Sequence, residues 1–377
     1  MAPSHADDGG LGEPQFAPDW IGKHALRGAG LESFDLTMSN KLWMLPDGME
    51  ESLPPVSWQV EDLRRKLLDY YRKSGYELIL PPFLEYLDTL LTGAGQDLER
   101  QTFKLTDPAS GRLLGLRADM TPQAARIAAR RYADTPLVRL CYLGTVLRVQ
   151  PDDLGGARSP RQVGCEIFGE AGLKADLEAI ELMLKTLDLA KVKNVHIDLG
   201  HVGIYRAMAA RLKLDADDEG SLFEILQRKS LPDLKEFAAA RKLPARIAQP
   251  LAELMSLNGD ILVLARARKN LASTGDVVMQ ALDALEQTAT QLQRKFPKLP
   301  IHVDLAELRG YRYQTGIVFA AFVPGHGREL ARGGRYDGVG HQFGAPRPAT
   351  GFSADMNDLL RLGATVAAPK TSRKSKR

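Results

Sequence analysis

Arg148, Gln162 and Glu166 are the residues of this 377-residue chain whose types and spacing point to chemistry. They belong to one stretch, Arg139 to Gly169, in which apolar and polar residues alternate on both sides of a Gly- and Pro-containing loop. A period of two marks β-strands, whose side chains point to opposite faces in turn. In the first arm Cys141, Leu143, Thr145 and Leu147 share one face, and Tyr142, Gly144, Val146 and Arg148 the other. In the second arm Val163, Cys165 and Ile167 oppose Gln162, Gly164, Glu166 and Phe168. Paired, the arms offer a greasy face to a core and a second face with a cation, an amide and a carboxylate. Gly144 and Gly164 leave room above that second face. Such a set suits a zwitterionic or phosphate-bearing small molecule. The same alternation also describes a half-exposed hairpin with a solvated polar face, and periodicity does not choose between the two.

The elements that must hold this hairpin follow from the flanking patterns. Val60, Leu63, Leu67, Leu68 and Tyr71 recur at spacings of three and four, which predicts an amphipathic helix from Trp58 that ends at Gly75. A short apolar strand then breaks at Pro81-Pro82. Residues Thr102 to Leu116 read as a hairpin turning at Asp107–Gly111. It leads to Arg117 and Asp119, which alternate on the emerging strand, as pocket-lining residues or as a capping cluster. Thr121-Pro122 opens a helix, with Thr121 as its expected N-cap. Beyond the hairpin, Ala175 to Leu189 reads as a helix and Val195 to Ile204 as a strand and turn. The strands that follow Lys295 are rich in Val, Ile, Phe and Tyr.

Domain organisation is expected to be α+β, with a flexible leader over 1–40 and a core over 41–211 and 296–363. A helical insertion over 212–295 interrupts that core, and a basic disordered tail covers 364–377. Hydrophobic residues at 44% and charged residues at 26% are ordinary for a globular protein. A net charge of +3, much of it in the tail, carries no general polyanion signature. Two cysteines on one apolar face argue for packing residues in a reducing compartment. There is no secretory signal and no run of about 18 apolar residues, so a cytoplasmic location is expected. The seven histidines are scattered, with His196 and His201 flanking a strand, and no metal site is expected. Neither a phosphate-binding P-loop nor a dinucleotide fingerprint occurs, and no spacing singles out a nucleophile.

Five segments, in order, resemble histidyl-tRNA synthetase, a class II aminoacyl-tRNA synthetase. LPDGMEESLPP with the helix and strand up to Pro82 looks like motif 1, the dimer-forming element. The central hairpin is similar to motif 2, with Arg148 at the place of its phosphate-gripping arginine. RGYRYQTGIVF resembles the family's histidine loop, ARGGRYDG the segment after it, and PATGFSADMNDLL motif 3. The resemblance implies an antiparallel sheet flanked by helices. It also implies a histidine site made by Asp119, Thr121, Arg148, Gln162, Glu166, Arg309 and Tyr313, with Gln314 where the family has a second tyrosine.

The departures fall at the nucleotide. Gln150 stands where the family has a glutamate, Asp355 and Asn357 replace a glycine and a glutamate, and Asp358 replaces the arginine that clamps the γ-phosphate. A carboxylate for a cation at about 4 Å, in an effective dielectric of ~20, loses ~4 kcal/mol of attraction and adds a similar repulsion. A synthetase would also continue into an anticodon-binding domain. The inventory resembles the regulatory subunits of ATP phosphoribosyltransferase, paralogues of the synthetase. That resemblance implies no catalysis and no cofactor. It implies histidine as effector, a short-form catalytic subunit as partner, self-association through motif 1 and hetero-octamers with four copies of each subunit. A histidine-activating ligase is the rival enzyme reading, and a histidine- or uncharged-tRNA-sensing module the rival binding reading.

Overall fold

In the computed structural model, residues 44–365 are described, apart from 94, 152–155, 309, 311–312, 339–343 and 345. The expected leader, most of the expected tail, and Arg309 lie outside the described residues.

Among the described residues, nine strands form one sheet in the order β1-β5-β6-β12-β11-β10-β7-β9-β8. These are β1 (Glu77–Leu78), β5 (Val138–Thr145), β6 (Arg161–Phe168), β7 (His196–His201) and β8 (Asn258–Gly259). The others are β9 (Ile301–Asp304), β10 (Ile317–Phe322), β11 (Ala331–Arg335) and β12 (Ala349–Asp355). β1 runs parallel to β5 and β7 parallel to β9; the other neighbours are antiparallel. A smaller sheet, ordered β2-β4-β3, joins β2 (Leu84–Tyr86), β3 (Lys104–Thr106) and β4 (Leu113–Leu116). This contains the hairpin predicted around Asp107–Gly111.

The period-two reading of the central hairpin holds in β5 and β6, which pair with Cys141 opposite Cys165 and Tyr142 opposite Gly164. Both cysteines are buried and unlinked. Burial pushes the Cys141 thiol up to about 12 and that of Cys165 well above its ordinary range, so neither thiol is a nucleophile at neutral pH. They join Val163, Ile167, Ile197, Leu199 and Ile317 under the helices on one face of the sheet. Helix Val56–Lys73 contributes Leu63, Leu67 and Tyr71 to this core. Each such apolar side chain stabilises the fold by roughly 1.5–3 kcal/mol. The Tyr71 hydroxyl lies 2.8 Å from the Thr186 hydroxyl of helix Leu173–Leu189, which satisfies a polar group that burial would otherwise strand. Gly75 follows the helix with φ +84, the left-handed C′ position that favours glycine.

Two local expectations are corrected. Thr121 is the first residue of helix Thr121–Arg131 rather than its cap, because its own N–H donates to Asp119 Oδ1 (2.8 Å). The turn after β7 is a helix, Val202–Ala209, whose first turn is capped by His201 Nδ1 accepting from the Gly203 N–H (3.1 Å). Between residues 212 and 295 the helices are interrupted at Asn258–Gly259 by β8, which pairs with β9 and so extends the main sheet. The long helix Asp276–Lys295 in this region buries Val278, Leu282, Leu285 and Leu292 into the main core.

Candidate functional site

The second face of the sheet is smooth where it needs to be deep. One row across it runs Glu166, Gly351, Gly334, Val318, Gly200, from β6 to β7. A Cβ at Gly351 would stand 1.7 Å from Glu166 Oε2, so only glycine lets the carboxylate lie down on the sheet. Above this row lies a cavity of about 400 Å³ lined by Asp119, Thr121, Arg148, Glu166, Tyr313, Gln314 and Tyr336, among others. That volume is typical of a small-molecule site. Seven of the eight sequence-predicted residues are described. Six of them line the cavity, and Gln162 lines the smaller cavity beside it instead.

Glu166 is the centre of the arrangement. It is buried, and its two oxygens accept from two phenols: Oε1 from Tyr142 (2.9 Å) and Oε2 from Tyr336. Burial pushes its carboxyl up to about 8, against the lowering effect of the Tyr336 and Tyr142 hydrogen bonds, with nearby Asp119 raising it further. The carboxyl therefore holds its proton well above the ordinary carboxylate range. Tyr313 stacks on Tyr336 with ring centroids 4.9 Å apart. Among the described residues, Tyr313 Oη and Gln314 Oε1 are buried polar atoms with no hydrogen-bond partner, at the edge of the cavity. Buried polar atoms are seldom left so, and both suit a ligand with its own donors and acceptors.

The other end of the cavity is built on the turn before helix Thr121–Arg131. Gln162 is spent holding that turn: its Oε1 accepts from the Met120 N–H (2.8 Å) and its Nε2 donates to Asp119 Oδ1 (2.8 Å). Both of the Asp119 bonds fall on the same oxygen, Oδ1. Gln162 is thus a positioning residue for Asp119. Arg148 lies beyond the end of β5, in the segment that follows, and its Nε donates weakly to the Ala118 carbonyl (3.4 Å).

The glycines expected to leave room for a ligand are used otherwise. A Cβ at Gly164 would meet the Tyr142 ring at 2.5 Å, and one at Gly144 the Arg117 guanidinium at 2.6 Å. Tyr142 and Tyr336 were not foreseen as site residues. The alternation places Tyr142 on the ligand face, but its contact with Glu166 is diagonal across the strand pair, within reach of an aromatic side chain. Tyr336 lies in the segment that resembles the family, 170 residues from Glu166.

Beside this cavity lies a second one of about 70 Å³, which shares Arg148, Glu329, Arg332 and Ser353 with it and adds Arg328, Asp355 and Asp358. It falls far below the roughly 300 Å³ at which small-molecule pockets begin. Asp358, only 4% exposed, accepts from Arg328 (2.6 Å) and Arg361. Asp355 accepts from the N–H groups of Arg161 (3.2 Å) and Asn357 (2.9 Å), and the Asn357 side chain from Arg161 (2.7 Å). Burial, then the neighbouring Asp358, pushes the Asp355 carboxyl up to about 6. Arg328 and Arg361 are bonded to the chain's own Asp358, and the Arg161 guanidinium to the Asn357 side chain. Gln150 is exposed and lines neither cavity.

The sheet, its flanking helices and the cavity over β6, β12 and β11 define a histidyl-tRNA synthetase-like domain of the class II kind. The sequence model of the family described as Histidyl-tRNA synthetase matches residues 48–359. A solved structure of an ATP phosphoribosyltransferase regulatory subunit/histidyl-tRNA synthetase from Bacillus halodurans superposes with a TM-score of 0.75 at 28% identity, over 85% of this chain and 83% of that one. The ATP phosphoribosyltransferase regulatory subunit of Thioalkalivibrio sulfidiphilus is 54% identical over 89% of this chain and 85% of its own length. That of Methylococcus capsulatus is 54% identical over 85% and 79%. The chain belongs to the ATP phosphoribosyltransferase regulatory subunits, within the histidyl-tRNA synthetase-like family. The expected α+β, class II synthetase-like fold is therefore met. Among the described residues, no helix is long and apolar enough to cross a membrane.

Proposed function

We propose that this chain is a non-catalytic subunit that assembles with a short-form ATP phosphoribosyltransferase catalytic subunit, activates it, and delivers feedback inhibition by binding L-histidine. The observation that supports this reading is an open cavity of about 400 Å³ beside one of about 70 Å³ in which Asp358 is paired with Arg328. Histidine suits the open cavity at each end. Its ammonium meets Asp119 and Thr121, and its carboxylate meets Arg148 and, by resemblance, Arg309. Its imidazole meets Glu166, Gln314 and Tyr313, where a ring N–H can donate to Gln314 Oε1 and a ring nitrogen accept from Tyr313 Oη. A coupling of ~1–3 kcal/mol between this site and the assembly is enough for ~5–150-fold inhibition.

Self-association through the motif 1 region accompanies this role, within a hetero-octamer of four copies of each subunit. Leu53, Trp58 and Leu80, at 67%, 64% and 74% exposed, support an apolar contact there. A cytoplasmic location fits the two free, buried cysteines.

Mixing the purified chain with a short-form catalytic subunit tests the reading. Phosphoribosyl transfer should rise on mixing and fall again with histidine. Histidine-dependent ATP–pyrophosphate exchange by the chain alone would favour the ligase reading instead.

A further inference from the structure

Between the two ends of the cavity runs a row of residues joined by hydrogen bonds, and a residue outside the cavity wall is its middle link. The Tyr142 side chain is fully buried, seated over Gly164 where any Cβ would collide with its ring. Its hydroxyl donates to Glu166 Oε1 at 2.9 Å and stands 3.0 Å from Thr121 Oγ1. From Thr121 the chain passes through the backbone N–H to Asp119 Oδ1, and from there to the Gln162 amide.

The direction of this chain follows from counting protons. In the ionised form of Glu166, whose oxygens only accept, the one proton of the Tyr142 phenol goes to the carboxylate. In the contact with Thr121 the phenol oxygen is therefore the acceptor, and the threonine hydroxyl the donor. With its only proton turned inward, Thr121 Oγ1 offers lone pairs to the cavity it lines. Beside it sits the Asp119 carboxylate. An ammonium group needs acceptors alone, so this polarity matches it and rejects a ligand that presents an acceptor at that end.

We propose that Tyr142 is a positioning and specificity residue, which fixes Glu166 for the ring of the ligand and orients the Thr121 hydroxyl as an acceptor for its ammonium. The proposal rests on reading the cavity as a histidine site and adds the residue that joins its two halves. Without the phenol oxygen, Glu166 loses one of its two phenol donors and the Thr121 hydroxyl is released to point its proton at the ligand.

The test is calorimetric titration of the full chain and of Tyr142→Phe with two probes: L-histidine, and imidazole-4-propionate, which lacks the α-amino group. Histidine affinity should fall about tenfold or more in Tyr142→Phe, as for a lost hydrogen bond to a charged group. The propionate should lose a clearly smaller factor, because only the ring end is disturbed for it. Equal losses for both probes would mark a packing defect and overturn the proposal, as would a histidine affinity within about twofold of wild type. Thr121→Ser and Thr121→Val carry the same test without touching the buried ring, should Tyr142→Phe not fold. Serine should keep histidine affinity and valine lose it, whereas equal affinities in the two variants would refute the chain. A wild-type chain that binds no histidine would sink the site reading itself, and with it the role of Tyr142.

Discussion

The two cavities share a wall and a sheet face, yet they treat charge in opposite ways. In the larger one Glu166 sits on neutral phenols, and Tyr313 and Gln314 keep buried polar atoms without partners among the described residues. In the smaller one Asp358 gathers Arg328 and Arg361, and Asp355 and Asn357 gather Arg161. One region leaves its hydrogen-bonding capacity unspent; the other uses it within the chain. Around Asp358 a single carboxylate holds Arg328 and Arg361 within the chain.

The largest effect that tests this contrast should come from Glu166→Ala. Histidine inhibition of the assembled enzyme should weaken by 100-fold or more on an order-of-magnitude basis, while assembly persists. Dose–response curves with histidine check this, and an inhibition constant matching wild type would contradict the assignment of Glu166.

A pH series sharpens the same point. Glu166 is raised to about 8 in the folded chain, above the ordinary carboxylate value of 4.5. Between those values the folded state holds more protons than the unfolded one, so stability falls as pH rises through that window. The slope from one such group approaches ~1.4 kcal/mol per pH unit. Denaturant unfolding of wild type beside Glu166→Gln should show a shallower fall in the variant. The groups that face Glu166 are Tyr142, Tyr336, Tyr313, Asp119 and Thr121, all unchanged in that comparison.

Asp358→Asn probes the closed region. Its partners are partly solvated, with side chains 23% exposed for Arg328 and 50% for Arg361, so the loss should be about 1–2 kcal/mol rather than the full cost of a stranded buried charge. Histidine affinity should stay within about twofold, as calorimetry can check. Smallest of all should be the effect of Asp355→Asn on histidine binding, since Asp355 lines only the smaller cavity. A tenfold loss there would mean that the two regions are not separable.

Much of this architecture was legible in the sequence, because period-two alternation and helical spacing are local signals. They place Cys141 and Cys165 in the core and Glu166 on the opposite face. What the pattern could not supply was the second partner of each polar group. Gly164 reads as open space until Tyr142 is seen lying on it. Gln162 reads as a ligand-facing amide until both of its ends are found clamped on the turn at Asp119 and Met120. Asp358 was legible as a reversed charge, but Arg328, which answers it, stands 30 residues away. Long-range pairing of this kind is set by the sheet register, which a single strand does not announce.

The most direct measurement is histidine-dependent ATP–pyrophosphate exchange on the isolated chain, beside an active histidyl-tRNA synthetase and with a histidine titration of the same sample. The expected result is binding of histidine with no exchange. Exchange above background would mean that ATP still enters past Asp358, and the contrast between the two cavities would not stand.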